Sequence, residues 1–252
     1  MPTLRHYLDF LWAMTEKEIK ARYKRAVFGF LWVVLNPVLQ MLIIGIIFSF
    51  FIKISNYFLF LFAGLLPWQF FSLSLSKATT SFVNERALIQ KAKFPKESIP
   101  ISIILSNFIH LVISLFLFLS LLLVIGREIN LQILLLIPTL IWLLIFTIGF
   151  SLLAATLQVR YRDISFFNQT LLTLWFYVTP ILYNLTLIPD KVRFLFALNP
   201  LTSIFELFHF SILGSGAINF QIVAINLFFS MAILILGVLV FKKQEKYFTD
   251  SL

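Results

Sequence analysis

The 252-residue chain has no cysteine, which excludes disulfides and thiolate metal sites. Charge is scarce: 12% of residues are Asp, Glu, Lys or Arg, 60% are hydrophobic, and the mean hydropathy is +0.97. A soluble domain carries about 25% charged residues. Acidic side chains are the rarer sign, 11 against 20 basic ones, and none stands in the middle of a long apolar run. Carriers driven by protons or sodium place carboxylates or histidines at that depth, because an ionisable group there is costly without a task. His110 is the one titratable candidate, in line with Ser102, Ser106 and Ser114, and a hydrogen-bonded packing role suits that seam better than proton carriage. The chain also lacks HExxH, clustered carboxylates and the GxxxxGK[ST] phosphate loop. Catalysis by an embedded enzyme and nucleotide hydrolysis by this chain are both disfavoured, so ATP-driven work would need a second protein.

What the chain has in quantity is apolar length. Six runs, at 28–52, 57–79, 99–125, 131–159, 164–187 and 218–241, reach the roughly 20 residues that a membrane-crossing helix needs. Barrel strands would be about half as long and would alternate in polarity. The predicted fold class is an all-α integral membrane protein. It has six transmembrane helices (28–252), an N-terminal amphipathic interface helix (1–27), and a short helical hairpin on the outer face between spans five and six. The first 25 residues are charged throughout and lack the short apolar core of a signal peptide, so the first run is expected to act as an uncleaved insertion signal.

The net charge of +9 is not distributed as nucleic-acid binding requires. With six crossings, sixteen Lys and Arg residues fall on one side and only Lys53, Arg127, Lys191 and Arg193 on the other. By the positive-inside rule both termini are expected in the cytoplasm. The basic residues also attract anionic lipid headgroups.

Segment 188–216 is apolar enough to imitate a further span, but it holds Asp190, Lys191, Arg193, Glu206 and His209. Asn199 before Pro200 is a helix start, and the glycines at 214 and 216 a stop, which predicts helices over 189–198 and 200–213. Counting this stretch as a crossing would send Lys242, Lys243 and Lys246 outside. The hairpin either re-enters, capping a pathway, or anchors at the interface.

Two elements are expected on the basic side. Leu4, Tyr7, Leu8, Leu11, Trp12, Ile19, Tyr23 and Ala26 share one face of a helix, with Glu16–Lys20 and Glu18–Arg22 as favourable i,i+4 pairs. Such a helix lies in the membrane interface. In the loop 84–98, Asn84 can cap a short helix over 85–91 that stops before Pro95. A rigid helix there could dock a soluble partner; the plainer reading is a solvated loop.

Polar stripes run along the second span (Gln69, Ser72, Ser76, Thr79, Thr80) and the fifth (Asn168, Thr170, Thr173, Tyr177, Thr179). Small hydroxyl residues join helices or line a path, and the stripes alone do not choose. Aromatics make up 17% of the chain. Tyr57, Trp68, Phe70, Trp175, Tyr177 and Tyr183 lie near polar stripes or span ends, and could offer flat faces to sugar rings. With Gln69, Ser72, Ser76 and Thr173 they are the channel-lining candidates.

Five segments in order, "KARYKRAVFGFLWVVLNP", "FLFAGLLPWQFF", "LIQKAKFPKESIPIS", "VRYRDISFF" and "TPILYN…ALNPLT", carry a resemblance. Over essentially its whole length the chain resembles the permease subunits of ATP-binding-cassette exporters for lipid-linked polysaccharides: O-antigen, capsule and teichoic acid. The resemblance implies a homodimer paired with two copies of a separate nucleotide-binding ATPase, which holds ATP and magnesium; this chain would bind no cofactor. It implies that 1–27 is the interface helix and that the loop between spans two and three couples to the ATPase through Glu85, Arg86, Gln90, Lys91, Lys93 and Lys96. It also implies that the segment 188–216, with Asn199, Pro200, Glu206 and His209, is an outer gate. The expected cargo is a polymer on a polyprenyl diphosphate, taken up at the cytoplasmic leaflet of a bacterial inner membrane, with Arg22, Lys24 and Arg25 placed to meet the diphosphate. The alternatives are an ion-coupled carrier working alone, an embedded glycosyl- or acyltransferase, and a drug or ion exporter of the same fold.

Overall fold

The computed structural model describes residues 4–24, 29–92, 94–128, 130–214 and 218–248. Arg25 and Lys93, and the stretch at 26–28 where charge gives way to apolar sequence, lie outside them. The described residues form helices α1 (Leu4–Tyr23), α2 (Trp32–Ser49), α3 (Tyr57–Asn84), α4 (Arg86–Lys91), α5 (Ser98–Val124), α6 (Leu136–Arg160), α7 (Ile164–Val178), α8 (Asp190–Ala197), α9 (Pro200–Leu213) and α10 (Phe220–Gln244), with short 3-10 turns between some of them. Five stretches are long and apolar enough to cross a membrane: α2, α3, α5, α6 with its preceding turn, and α10 with its following turn.

Helix α3 is the hub. Phe60, Leu61, Leu65, Phe71 and Leu75 are fully buried, and α2, α5, α6, α7 and α9 all pack on it. Its glycine and small residues admit close neighbours, as at Gly64, where a Cβ would sit 3.2 Å from the Ile181 carbonyl oxygen. Helix α5 runs antiparallel to α3, with Phe62 on Phe118 toward one end and Asn107 on Ser74 near the middle. Helices α6 and α10 run parallel. Trp142 Nε1 donates to Ser230 Oγ at 2.8 Å, and two turns on, a Cβ on Gly237 would come within 2.3 Å of the Gly149 carbonyl oxygen. Only glycine at both positions allows this backbone contact.

Three sequence expectations need correction. The fifth run is not one helix over 164–187: α7 ends at Val178, 15 residues and about 22 Å long, and Thr179 is extended. Pro180 explains the break, because the residue before proline avoids the helical region. Asn84 does not cap the short helix; it closes α3, its Nδ2 donating to Thr80 Oγ1, and α4 starts at Arg86. Of the two i,i+4 pairs in α1, Glu16–Lys20 forms, but Arg22 turns away from Glu18. The hairpin helices are α8 and α9, bent 95° apart; α9 matches the expected 200–213, and Asn199 caps it by accepting from the Leu201 amide.

Because α10 begins at the same end of the bundle as α6, the chain from α7 through α9 makes one net passage. Leu182 lies by Tyr57 at the start of α3, and Gly214 lies by Asn130 and Gln132 just before α6, so the α8–α9 segment returns to the end it left. The opposite end gathers α4 and the two terminal segments. There Met14, Phe82, Ile89, Ile99, Phe241 and Phe248 form a second, smaller core.

Candidate functional site

Helix α1 runs beside the first half of α5 and in the same direction. Phe10 meets Phe94 near its start, and Arg22 meets Asn107 and His110 near its end. Burial, with the Glu97 carboxylate nearby, pushes the Tyr7 hydroxyl above its ordinary pKa. Met14 and Thr15 face the protein, whereas Leu8 and Trp12 are exposed, so the apolar residues serve two surfaces and not the single face that their spacing suggested.

Where α1 ends, a cavity of 340 Å³ opens between α1, α2, α3 and α5. Arg22 crosses it: one guanidinium nitrogen donates to His110 Nδ1 at 2.8 Å, another donates to Asn107 Oδ1, and Asn107 Nδ2 donates in turn to Ser74 Oγ at 3.0 Å. The accepting nitrogen of His110 carries no proton, so the ring works here as an anchor for the arginine. Lys77 from α3 adds a second cation, and Asn36, Gln69 and Ser114 add neutral polar groups. Among the described residues, no carboxylate lines this cavity. Gln69 is held by Gln40, to which its Nε2 donates at 3.0 Å. Of the three cations expected at the headgroup, Arg22 is therefore here, Lys24 is exposed on the turn after α1, and Arg25 is not described. By sequence alone Lys77 is one of the sixteen orienting charges. Its signal was visible: eight residues after Gln69 and one after Ser76, it continues the polar side of an otherwise apolar helix. Asn36 and Gln40, four residues apart in the first apolar run, were a second missed signal.

At the same end, α4 is pinned by the buried Ile89 and presents Arg86, Gln90 and Lys91 to the outside. Glu85 accepts from Lys17 Nζ of α1 at 2.6 Å. Lys96 Nζ donates to the Glu245 carbonyl oxygen at 3.0 Å and lies 5.7 Å from the centre of the Phe248 ring. The expected coupling residues are thus tied to both terminal segments.

Residues 9–213 match the family described as ABC-2 type transporter. The chain belongs to the ABC-2 type transporter family. Among its relatives, two proteins of Klebsiella pneumoniae named O-antigen export system permease protein RfbA are 34% and 33% identical, each match covering 99% of this chain and 97% of the relative. A protein of the same name from Myxococcus xanthus is 35% identical over 80% of this chain and 79% of its own.

The remaining candidate residues of this ABC-2 chain are dispersed. Tyr57, Trp68 and Phe70 are buried; the Tyr57 hydroxyl donates to the Leu182 carbonyl oxygen at 3.0 Å, and Trp68 packs on Phe71, Phe176 and Phe205. Ser72 is half-buried, and Ser76, Thr173 and Tyr177 are exposed. Tyr183 donates to the Tyr177 carbonyl oxygen at 2.7 Å. Trp175 packs edge-on or tilted among Phe71, Phe146 and Phe150 while its Nε1 donates to Asn199 Oδ1 at 2.9 Å.

In the α8–α9 segment, Asn199 also donates to Thr179 Oγ1 at 3.0 Å, and Asn226 of α10 donates to the Ala197 carbonyl oxygen at 2.9 Å and to Ser203 Oγ at 2.7 Å. Pro200 occupies the first turn of α9. His209 is buried, stacked at 3.8 Å on Phe60, and its Nε2 donates to the Phe60 carbonyl oxygen. Glu206 is half-buried on the same helix.

Proposed function

We propose that this ABC-2 chain is the membrane-spanning subunit of an ATP-driven exporter that moves a lipid-linked, O-antigen-like polysaccharide out of the bacterial cytoplasm across the inner membrane. The names carried by the relatives support the polysaccharide, and the 340 Å³ cavity supports the diphosphate anchor: Arg22 and Lys77 face it with no carboxylate among its lining residues. A diphosphate is recognised by paired cations at restricted depth, with arginine supplying a planar fork and lysine a point charge. Arg22 is the better oriented of the two, because His110 and Asn107 hold it.

In this reading the subunit is a homodimer, two copies of a nucleotide-binding ATPase dock on α4 and its neighbours, and both termini are cytoplasmic. The chain crosses six times: α2, α3, α5, α6, α7 with the extended segment after it, and α10. The α8–α9 segment dips into the outer half as a gate without crossing. Leu8 and Trp12 of α1 face the lipid interface. Membership of the ABC-2 type transporter family supports this reading over a carrier working alone or an embedded transferase.

The test is export in a strain deleted for this chain and complemented with it and its ATPase. Arg22→Gln/Lys77→Gln should lower surface polymer about tenfold or more, as a loss of about 1.4 kcal/mol of headgroup binding would, while permease and ATPase still co-purify. Export at the parental level from an assembled complex would overturn the assignment of the cavity. A surface product other than a polysaccharide would overturn the cargo.

A further inference from the structure

A second cavity, of 590 Å³, lies where α6 and α10 finish, away from the Arg22 site. Its lining divides by chemistry. Arg160 and Lys243 bring charge, Val159 and Val240 bring apolar walls, and Tyr247 and Phe248 close one side. Both cations are exposed, and neither is in an ion pair with a carboxylate among the described residues. The Arg160 guanidinium is steadied over the Tyr161 ring, 5.4 Å from its centre. Along α10 and the 3-10 turn that follows it, Leu236, Val240, Lys243 and Tyr247 follow one another at helical spacing, so the charged crevice continues into an apolar stripe. Leu236 in that stripe is 53% exposed.

An occupant must therefore carry an anionic head and an apolar body of some length. Paired basic residues between transmembrane helix ends at the cytoplasmic face select anionic lipid headgroups. A free phosphate would satisfy the cations and leave Val159, Val240 and the Leu236 stripe uncovered. We propose that this crevice is a binding site for an anionic phospholipid of the phosphatidylglycerol type, one per subunit, with its phosphate between Arg160 and Lys243 and an acyl chain along Leu236. The site is independent of the cargo, because it shares no lining residue with the Arg22 cavity.

The experiment is lipid binding to the full-length chain in mild detergent, followed by native mass spectrometry during titration with phosphatidylglycerol. Arg160→Gln/Lys243→Gln should weaken the tightest binding event at least fivefold, and Lys243→Gln alone should weaken it measurably. Lys242→Gln/Lys246→Gln, which removes two nearby charges outside the crevice, should leave it unchanged. Unfolding temperatures measured in detergent establish that the variants are folded. Equal weakening by both double variants would reduce the effect to general surface charge and overturn the site. Retention of phosphatidylcholine as tight as that of phosphatidylglycerol would overturn the role of the cations, and displacement by glycerol 3-phosphate as efficient as by the lipid would overturn the role of the apolar walls. If Arg160→Gln/Lys243→Gln lost the ATPase on co-purification and kept its lipid, the crevice would be a protein contact and the proposal would fall.

Discussion

Arg22 shows how a single side chain changes meaning between sequence and structure. By spacing it belongs to an i,i+4 pair with Glu18; in the fold it leaves that pair for Asn107 and His110. A solvated helix pair is worth a few tenths of a kcal/mol, whereas hydrogen bonds from a charged donor to groups that are otherwise buried are worth about 1.5–3 kcal/mol. Replacing Arg22 by Ala should therefore destabilise the protein by about 1–3 kcal/mol, read as a lower unfolding temperature in detergent, because Asn107 Oδ1 loses its donor. Lys77→Gln should cost little stability, since no described hydrogen bond depends on it; a large loss would show that Lys77 is structural. The same contrast separates Glu85 from Asn226. The Lys17–Glu85 pair is half exposed, so Glu85→Gln should cost under about 1 kcal/mol. Asn226 is fully buried and donates into the α8–α9 joint, so Asn226→Leu should cost about 1–3 kcal/mol by leaving those acceptors without a donor.

At the scale of elements, legibility followed from whether a signal was local. Helix α9 could be read to the residue, because a capping Asn, a first-turn Pro and a left-handed Gly214 bracket it within the sequence. The end of α7 was misread although Pro180 marks it, since apolar composition ran on to residue 187 and outweighed one backbone constraint. The two-sided burial of α1 was not legible, because its second apolar surface exists only once α5 lies against it. The short α4 was legible as a helix but not as a clamped one: Ile89 beneath it, Lys17 beside it and the Lys96 contact to Glu245 come from distant parts of the chain. If α4 is the ATPase's contact, Lys91→Glu should reduce ATPase co-purification while leaving the permease's unfolding temperature unchanged. Loss of the folded permease instead would assign Lys91 to the fold.

The whole molecule was legible as a helical membrane bundle from its apolar runs alone, but its net topology needed the parallel pairing of α6 and α10. The absence of cysteine makes that topology directly measurable. A single cysteine in place of Thr186 should react with a membrane-impermeant maleimide applied to intact spheroplasts, and one in place of Lys246 only after the membrane is opened; the reverse pattern would invert the proposed orientation. The Gly149–Gly237 contact sets a further limit. Gly237→Val would drive a side chain into the opposing backbone, costing about 3 kcal/mol or more, and should abolish accumulation of the folded protein. Backbone against backbone leaves no flexible side chain between the two helices to absorb sliding, so α6 and α10 behave as one stave of the wall. Widening of a passage then falls to the thinly packed staves, α2 above all, whose apolar length is only 11% buried within the subunit. The stiffness of the protein is thus lopsided: the α6–α10 wall is a fixed jamb, and α2 is the stave left free to swing.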